Sequence, residues 1–250
     1  MGQDFASFWF GGSLSPHSRL CIQSFLDHGY HFALYSYDPA LEVPEGCILK
    51  DASEIYDRDR VFFYQGDGEK VSAFSNMFRY RMIYETGTCW VDTDVLCTGD
   101  AFPTDQFVFA RQDDEFINGA VLRFPAGHEA MQLAAEYCWE VRDRANWGDL
   151  GPRLLTRVIE EYDLEGAACP TEAIYPIHWR DAMWVLDPTL KATVDARVFQ
   201  AATVHLWNEI FTRNGVDKRA LPADGCYLRE VVERHRASAF FAPCHANAAV

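Results

Sequence analysis

The feature that most constrains this chain is a pair of carboxylates that interrupts an apolar, strand-like run. Asp92 and Asp94 lie between residues 89–91 and 95–97, two segments typical of a buried strand. Side chains two residues apart on an extended chain project from the same face. Two unpaired anions there cost free energy or have a raised pKa unless a cation neutralises them. The run therefore predicts a Mg²⁺ or Mn²⁺ site with positions left for phosphate oxygens.

The segment before the two aspartates predicts a helix that leads directly into them. The helix is expected over residues 72–85 and should end at Gly87. Ser72, Asn76 and Arg79 form one polar stripe on it, whereas its other faces are apolar. A polar stripe beside two carboxylates favours a polar site over the alternative interpretation, which is a loop with two solvated aspartates.

Composition and charge limit the class of protein. The chain has 250 residues, of which 49% are hydrophobic and 14% aromatic, so it can bury a sizeable core. We expect one domain over residues 1–250. The formal net charge of −15 argues against a nucleic-acid binder, which needs a basic face. The same charge would repel a phosphorylated substrate, which strengthens the prediction of a local cation.

Cysteine usage and hydropathy bear on the compartment. The eight cysteines form no C-x-x-C pair, which is typical of a reduced, cytosolic protein. No run approaches the ~18 apolar residues of a membrane span, and no export signal is visible. The expected location is the cytoplasm, and peripheral contact with the inner face of the membrane is left open.

The order of elements predicts an α/β fold. A strand over residues 5–10 is followed by Gly11-Gly12, a helix that begins at 13–16 and ends at Gly29, and a strand over 31–37. A glycine turn after a first strand can admit a ligand to the backbone, although a tight turn alone would also explain it. Strands and helices alternate further along the chain, so ligands are expected at the carboxyl ends of the strands.

Two later strands, over residues 106–110 and 116–124, are also predicted. The second contains Asn118-Gly119, which is either a hairpin turn or a strand position that a backbone or ligand approaches closely. Helices are expected from Pro125 and from Pro152.

The position of Asp149 has a simple structural interpretation, whereas His205 allows two interpretations. Asp149 precedes the Pro152 helix, where a carboxylate commonly caps the helix start. His205 lies in an apolar run beside Trp207 and is either a hydrogen-bonded core residue or a third metal ligand from a distant strand.

The run over residues 75–95 resembles a known signature. It is similar to the Ser-Asp-x-x-Arg-Tyr, Leu-Tyr, Gly-Gly, Tyr-x-Asp-x-Asp pattern of DXD sugar transferases, which include capsular polysaccharide transferases and the α1,4-galactosyl and N-acetylglucosaminyl transferases. The resemblance covers roughly residues 5–210 and continues in the expected order through residues 116–121, 151–156, 175–179 and 204–208.

The resemblance implies a retaining glycosyltransferase with the GT-A fold. The fold would contain a central mixed, mostly parallel sheet flanked by helices. The enzyme would use a nucleotide sugar, with UDP as the expected nucleotide, and Mn²⁺ or Mg²⁺. The acceptor would be a saccharide or glycoconjugate, and surface polysaccharide synthesis is one setting that the family suggests.

The resemblance also assigns roles to residues of this chain. The implied metal ligands are Asp92, Asp94 and His205. The implied donor-binding residues are Trp9, Phe10, Gly11, Asn76, Arg79, Asp92 and Asn118. The candidate catalytic residues are Asp92, Asp94 and Asp149, the last through contact with sugar or acceptor rather than as an assigned base.

Two positions depart from the family pattern. Asn76 stands where an Asp is usual, which affects the contacts expected with the donor sugar. Thr88 stands where a second Gly is usual, which should alter only the turn.

Two other classes of function compete with sugar transfer. A phosphatase of the haloacid dehalogenase type would use Asp92 as nucleophile and Asp94 as acid/base, but its motif usually lies near the N-terminus. A non-catalytic sugar-binding protein would not need Asp92, Asp94 and His205 together.

Overall fold

The computed structural model describes residues 4–64, 71–99 and 102–242. Gly66, Gly68 and Cys244 lie outside these ranges. The described strands are β1 Asp4–Trp9, β2 His31–Ser36, β3 Ile48–Asp51, β4 Cys89–Val91, β5 Val95–Cys97, β6 Val108–Arg111, β7 Ile117–Arg123 and β8 Thr203–His205. The described α-helices are α1 Pro16–Asp27, α2 Ser72–Thr86, α3 Glu129–Val141, α4 Leu154–Glu161, α5 Thr171–Ile174, α6 Lys191–Val198, α7 Asn208–Arg213 and α8 Tyr227–Arg234.

Six strands form one mixed sheet in the order β3-β2-β1-β4-β7-β6. The pairs β2–β3, β1–β2 and β1–β4 are parallel, whereas β4–β7 and β6–β7 are antiparallel. Successive residues of β1 enter different cores, because Phe5 packs in the cluster that contains α1 and Ala6 in the cluster that contains α2 and α3. The structure confirms the predicted α/β class, with a mostly parallel sheet between helices.

The predicted β-α-β opening is confirmed as β1, α1 and β2. Helix α1 begins at Pro16, and Ser15 caps it by accepting a hydrogen bond from the Ser18 N–H (3.0 Å). Helix α2 ends where the sequence predicts. Gly87 has a φ of +65° and its N–H donates to the Ile83 carbonyl (2.8 Å), which is a left-handed helix end that glycine adopts without strain.

The prediction of one strand through the two aspartates is wrong. Strand β4 belongs to the six-stranded sheet, whereas β5 pairs with β8 in a separate two-stranded antiparallel sheet. The chain changes sheets at residues 92–94, where the Val95 N–H donates to the Asp92 carbonyl (3.0 Å) and closes a turn. The two carboxylates therefore project from a turn rather than from one face of an extended strand.

Strand β7 runs without interruption through Asn118-Gly119, so the hairpin-turn interpretation is wrong. The group that approaches Gly119 closely is a side chain rather than the expected backbone or ligand, because a Cβ on Gly119 would overlap Nη1 of Arg79. The helix expected from Pro125 begins at Glu129, and the helix expected from Pro152 begins at Leu154, after an irregular turn over Asp149–Arg153.

The sequence predicts reduced cysteines and no membrane-spanning segment. No disulfide joins any of the seven cysteines within the described ranges. Among the helices of those ranges, none has the length and apolar character needed to cross a membrane.

Candidate metal centre

The turn between β4 and β5 places both aspartates at the carboxyl edge of the main sheet. The Asp92 N–H donates to the Ala120 carbonyl of β7 (2.8 Å), which extends the β4–β7 pairing to the turn. On the other side, the Leu206 N–H donates to the Asp94 carbonyl (2.9 Å), next to β8. The turn is therefore held by the backbones of both sheets.

Three potential ligands meet at this turn. Asp92, Asp94 and His205 each offer a ligand atom, and these atoms lie within 4.8 Å of one another. His205 arrives because it is directly opposite Val95 in the β5–β8 pairing. Its Nε2 lies 3.3 Å from Asp94 Oδ1. The structure thus brings together the three residues that the sequence nominated from positions more than a hundred residues apart.

Asp94 is held by a backbone N–H and by the imidazole of His205. Its Oδ2 accepts a hydrogen bond from the Asn208 N–H (2.9 Å), and its Oδ1 faces His205. Burial raises the pKa of Asp94, but the interactions with His205 and the Asn208 N–H outweigh burial and leave that pKa below its usual value. Asp94 is therefore an anion at neutral pH.

Asp92 is held by a cation. Its Oδ1 accepts hydrogen bonds from Arg79 Nη2 (2.8 Å) and from the Trp90 indole N–H (2.7 Å). The Arg79 side chain is almost fully buried, and its guanidinium also lies 5.1 Å from the centre of the Trp90 ring. Because both donors use Oδ1, Oδ2 is the Asp92 oxygen left for a ligand.

The residues present fit a divalent ion. A six-coordinate Mg²⁺ or Mn²⁺ with bonds of about 2.1 Å separates neighbouring ligand atoms by about 3 Å and opposite ones by about 4 Å. The three candidate ligand atoms lie within 4.8 Å of one another, which is close to this spacing. Carboxylates suit both ions, and the imidazole favours the transition ion Mn²⁺.

The imidazole of His205 is held by packing. Its ring centre lies 3.9 Å from that of Trp207, whose indole N–H donates to the Ile177 carbonyl (2.9 Å). The His205 Nδ1 is buried without a hydrogen-bond partner among the described residues, so ring packing and the contact with Asp94 orient the imidazole. The contact with Asp94 fits both interpretations of His205, the hydrogen-bonded core residue and the third metal ligand, so the ligand role stays a prediction.

Trp9, Phe10 and Gly11 lie at the same edge as Asp92. Ala6 of β1 pairs with Trp90 of β4 in parallel, so the residues that follow both strands emerge together. The Trp9 indole N–H donates to the Gly12 carbonyl (2.7 Å) and closes the glycine turn. Their predicted role in donor binding stays a prediction.

The other predicted donor-binding residues are already engaged in hydrogen bonds. Asn76 donates to the Ser72 carbonyl (2.9 Å), and Arg79 faces Asp92. The Asn118 amide donates to Gln112 Oε1 (2.7 Å) and accepts from the Ala120 N–H (2.7 Å). The polar stripe on α2 thus lies against protein groups rather than against an open surface.

Asp149 lies outside the cluster of ligands. Its Oδ2 accepts from the Asn146 N–H (2.8 Å), and its Oδ1 accepts from Arg153 Nη1 (3.0 Å). Slight burial raises the pKa of Asp149, but these hydrogen bonds outweigh burial and lower that pKa overall. Asp149 also lines an open cavity of about 550 Å³ together with Arg144 and Arg157. Its observed role is to close the turn over residues 146–149.

Several residues shape the site although sequence patterns predict no part in it for them. Asn208 holds Asp94 through its backbone N–H, which carries no side-chain signal. Trp90 was assigned to the core, and its N–H reaches Asp92. The buried His17 lies with Nδ1 3.5 Å from Asn208 Oδ1, a contact across 191 residues that sequence patterns could not reveal.

The part of the chain over residues 123–221 matches the alpha 1,4-glycosyltransferase conserved region. This part of the chain is therefore similar to a glycosyltransferase family. The matched region contains Asp149 and His205 and begins after the two aspartates of the turn. The match confirms the resemblance to sugar transferases that the sequence motifs predict.

Curated relatives agree with this family. The lactosylceramide 4-alpha-galactosyltransferase of Pongo pygmaeus is 28% identical over 146 residues, which are 54% of this chain and 66% of the relative. That of Gorilla gorilla gorilla is 30% identical over 147 residues, which are 54% of this chain and 44% of the relative. The chain therefore matches about half of the length of these relatives. A solved structure titled PaToxG Glycosyltransferase aligns with a TM-score of 0.49 at 12% identity, covering 95% of this chain and 85% of that one.

Proposed function

We propose that the protein is a metal-dependent, retaining glycosyltransferase that moves a sugar from a nucleotide sugar to a hydroxyl group of a saccharide or glycoconjugate. The observation that carries the proposal is the convergence of Asp92, Asp94 and His205 at one edge of the sheet. The relatives are named as 4-alpha-galactosyltransferases of lactosylceramide. UDP-galactose and a β-galactoside such as lactose are therefore the first donor and acceptor to test.

The net charge of −15 explains why such an enzyme would need an ion for its donor. A bound Mn²⁺ or Mg²⁺ would neutralise the charge that develops on the departing diphosphate. Asp94, His205 and Oδ2 of Asp92 would hold it. Arg79 would orient Asp92 through Oδ1, and the Asn208 N–H would orient Asp94 through Oδ2.

An α-linked donor that gives an α-linked product requires retention at the anomeric carbon. Asp149 is not proposed as a nucleophile or base, because each of its oxygens already accepts a hydrogen bond within its own turn. The phosphatase alternative gains no support from the site, and the family match argues against it.

The test incubates the protein with UDP-galactose, UDP-glucose or UDP-N-acetylglucosamine and lactose, with Mn²⁺ or with EDTA. The expected result is a trisaccharide that forms only with a metal ion and whose new linkage is α by NMR. Asp94→Asn is the matched inactive control. Donor consumption that is equal in EDTA, or hydrolysis of p-nitrophenyl phosphate without any sugar transfer, would contradict the proposal.

A further inference from the structure

Four large apolar side chains are strongly exposed among the described residues: Ile48, Leu133, Trp147 and Phe199. Trp147 is 52% exposed and is the largest of them. Singly exposed apolar side chains are common on protein surfaces, so the place of Trp147 in the fold decides its interest. An occupant that covered its ring would gain about 25 cal/mol for each Å² of apolar surface buried.

Trp147 lies between two helices that carry site residues. On one side, the turn that follows it packs on α2, since the Tyr80 hydroxyl donates to the Leu150 carbonyl (3.0 Å). Helix α2 also carries Arg79, the partner of Asp92. On the other side, the guanidinium of Arg213 lies 5.0 Å from the centre of the Trp147 ring.

Arg213 connects the indole to the Asp94 side of the site. It ends α7, whose first residue, Asn208, binds Asp94 through its N–H. Arg213 Nε donates to Glu209 Oε1 (3.1 Å), so the guanidinium folds back toward the first turn of this helix. The helix rises only about 8 Å over its length. Trp147 therefore lies beside α7, the short helix whose first residue binds Asp94.

Hydrogen bonds hold the turn that contains Trp147 in one conformation. The Asp149 carboxylate accepts from the Asn146 N–H (2.8 Å) and from Asn146 Nδ2 (3.3 Å), and Arg153 holds its other oxygen. Gly148 has a φ of +87°, a conformation that side chains rarely adopt. These contacts restrain the backbone on both sides of the indole, which lowers the entropy cost of binding on it.

We propose that Trp147 is a stacking surface for the saccharide acceptor and that Asp149 is the residue that positions it. This inference rests on the proposed function and names the acceptor-binding group of that same site. A pyranose offers an apolar C–H face with hydroxyl groups at its rim, and an indole offers an apolar face with one N–H donor. A neutral sugar fits better than an anionic one, because Arg213 is already paired with Glu209.

The experiment measures saccharide binding and nucleotide binding separately on the full chain. The saccharide probes are lactose, maltose and methyl β-galactoside, followed by saturation-transfer NMR in the presence of UDP and Mn²⁺. Binding of UDP with Mn²⁺ is followed by calorimetry. The variants are Trp147→Ala, Trp147→Phe and the matched control Phe199→Ala. The control removes an exposed aromatic ring that precedes β8, whereas His205 is the last residue of that strand.

Trp147→Ala should weaken binding of the best probe by about tenfold, whereas Trp147→Phe should keep most of it. Phe199→Ala should match the parent protein, and all three variants should bind UDP with Mn²⁺ unchanged. Equal saccharide affinity in Trp147→Ala, or no binding of any probe to the parent protein, would overturn the inference. A parent protein that binds saccharide but not UDP with Mn²⁺ would instead contradict the proposed function.

Asp149 is tested by a pair of variants. Asp149→Ala frees the turn and should weaken saccharide binding as Trp147→Ala does, without changing the binding of UDP with Mn²⁺. Asp149→Asn keeps an acceptor oxygen for the Asn146 N–H and should recover most of the affinity. If Asp149→Ala binds saccharide as the parent does, the positioning role is wrong.

Discussion

The two aspartates of the site are two residues apart and have different surroundings. Asp92 lies on the side of the six-stranded sheet, where Arg79 and the Trp90 indole bind one of its oxygens. Asp94 lies on the side of the two-stranded sheet, where a backbone N–H and the imidazole of His205 face it. One carboxylate is therefore neutralised by a permanent cation, and the other is not.

This difference predicts different roles for the two sides of the site. An ion that arrives at the turn finds uncompensated negative charge mainly on Asp94, with the imidazole beside it. Asp92 contributes its second oxygen from a position that Arg79 fixes. We therefore expect the Asp94 side to determine metal affinity and the Asp92 side to determine geometry.

The largest effect is expected from Asp94→Asn. The amide keeps the shape of the side chain but removes the charge, so sugar transfer should fall by at least about 100-fold. Asp92→Asn should cost less, because Arg79 already offsets that charge. Steady-state rates for both variants check the order, with circular dichroism as the control for folding. A larger loss in Asp92→Asn would reverse the proposed division.

His205→Ala should weaken Mn²⁺ binding by about 10- to 100-fold in the folded protein. The imidazole is the third potential ligand, and no other histidine belongs to the cluster among the described residues. Calorimetry with Mn²⁺ and UDP measures the effect, and the melting temperature is recorded in parallel. A lower melting temperature with unchanged Mn²⁺ affinity would assign His205 to the core instead.

Gly119→Ala tests whether Arg79 positions Asp92. A Cβ at this position would overlap Nη1 of Arg79, so the guanidinium must move although no charge is removed. Donor turnover should fall by about tenfold, and Mn²⁺ affinity should change less than in His205→Ala. Gly166→Ala is the matched control, because a Cβ there meets nothing within 4 Å. Identical kinetics in Gly119→Ala and Gly166→Ala would show that Arg79 does not position Asp92.

The last of these predictions concerns stability behind the Asp94 side. Burial lowers the pKa of His17 to about 4, although its hydrogen bond with Asn208 opposes this shift. The unfolded chain takes up a proton near pH 6.5 that the folded chain takes up only near pH 4, so stability decreases as pH falls through this window. The free energy of unfolding should lose about 2 kcal/mol between pH 7.5 and pH 5 from this residue.

Urea unfolding of the parent and of His17→Gln at the two pH values measures that contribution. The variant should lose less stability on acidification than the parent, since it cannot bind the extra proton when unfolded. An equal loss in both proteins would show that His17 is not the group responsible.

The elements that the sequence predicts well are those with local signals. Helix α2 has its apolar faces and its Gly87 end, and the β1-α1-β2 unit has its turn residues, so neighbours in sequence determine each of them. The split between β4 and β5 could not be predicted, because it depends on which distant strands pair with each half.

The site shows the same limit. Residue types nominated Asp92, Asp94 and His205, since few chemistries need such groups in apolar runs. The burial of Arg79 against Asp92 and the use of Asp149 within its own turn depend on three-dimensional contacts that spacing does not encode. Sequence patterns therefore identified the candidate ligands better than they identified the residues that support them.

The most direct test of the account is the binding of Mn²⁺ to the parent protein, to Asp92→Asn and to Asp94→Asn, measured by calorimetry in the presence of UDP. The account predicts one ion for each parent chain, weaker binding to Asp92→Asn and no detectable binding to Asp94→Asn. Equal Mn²⁺ affinity in the parent and in Asp94→Asn would contradict the central claim that this turn is a metal centre.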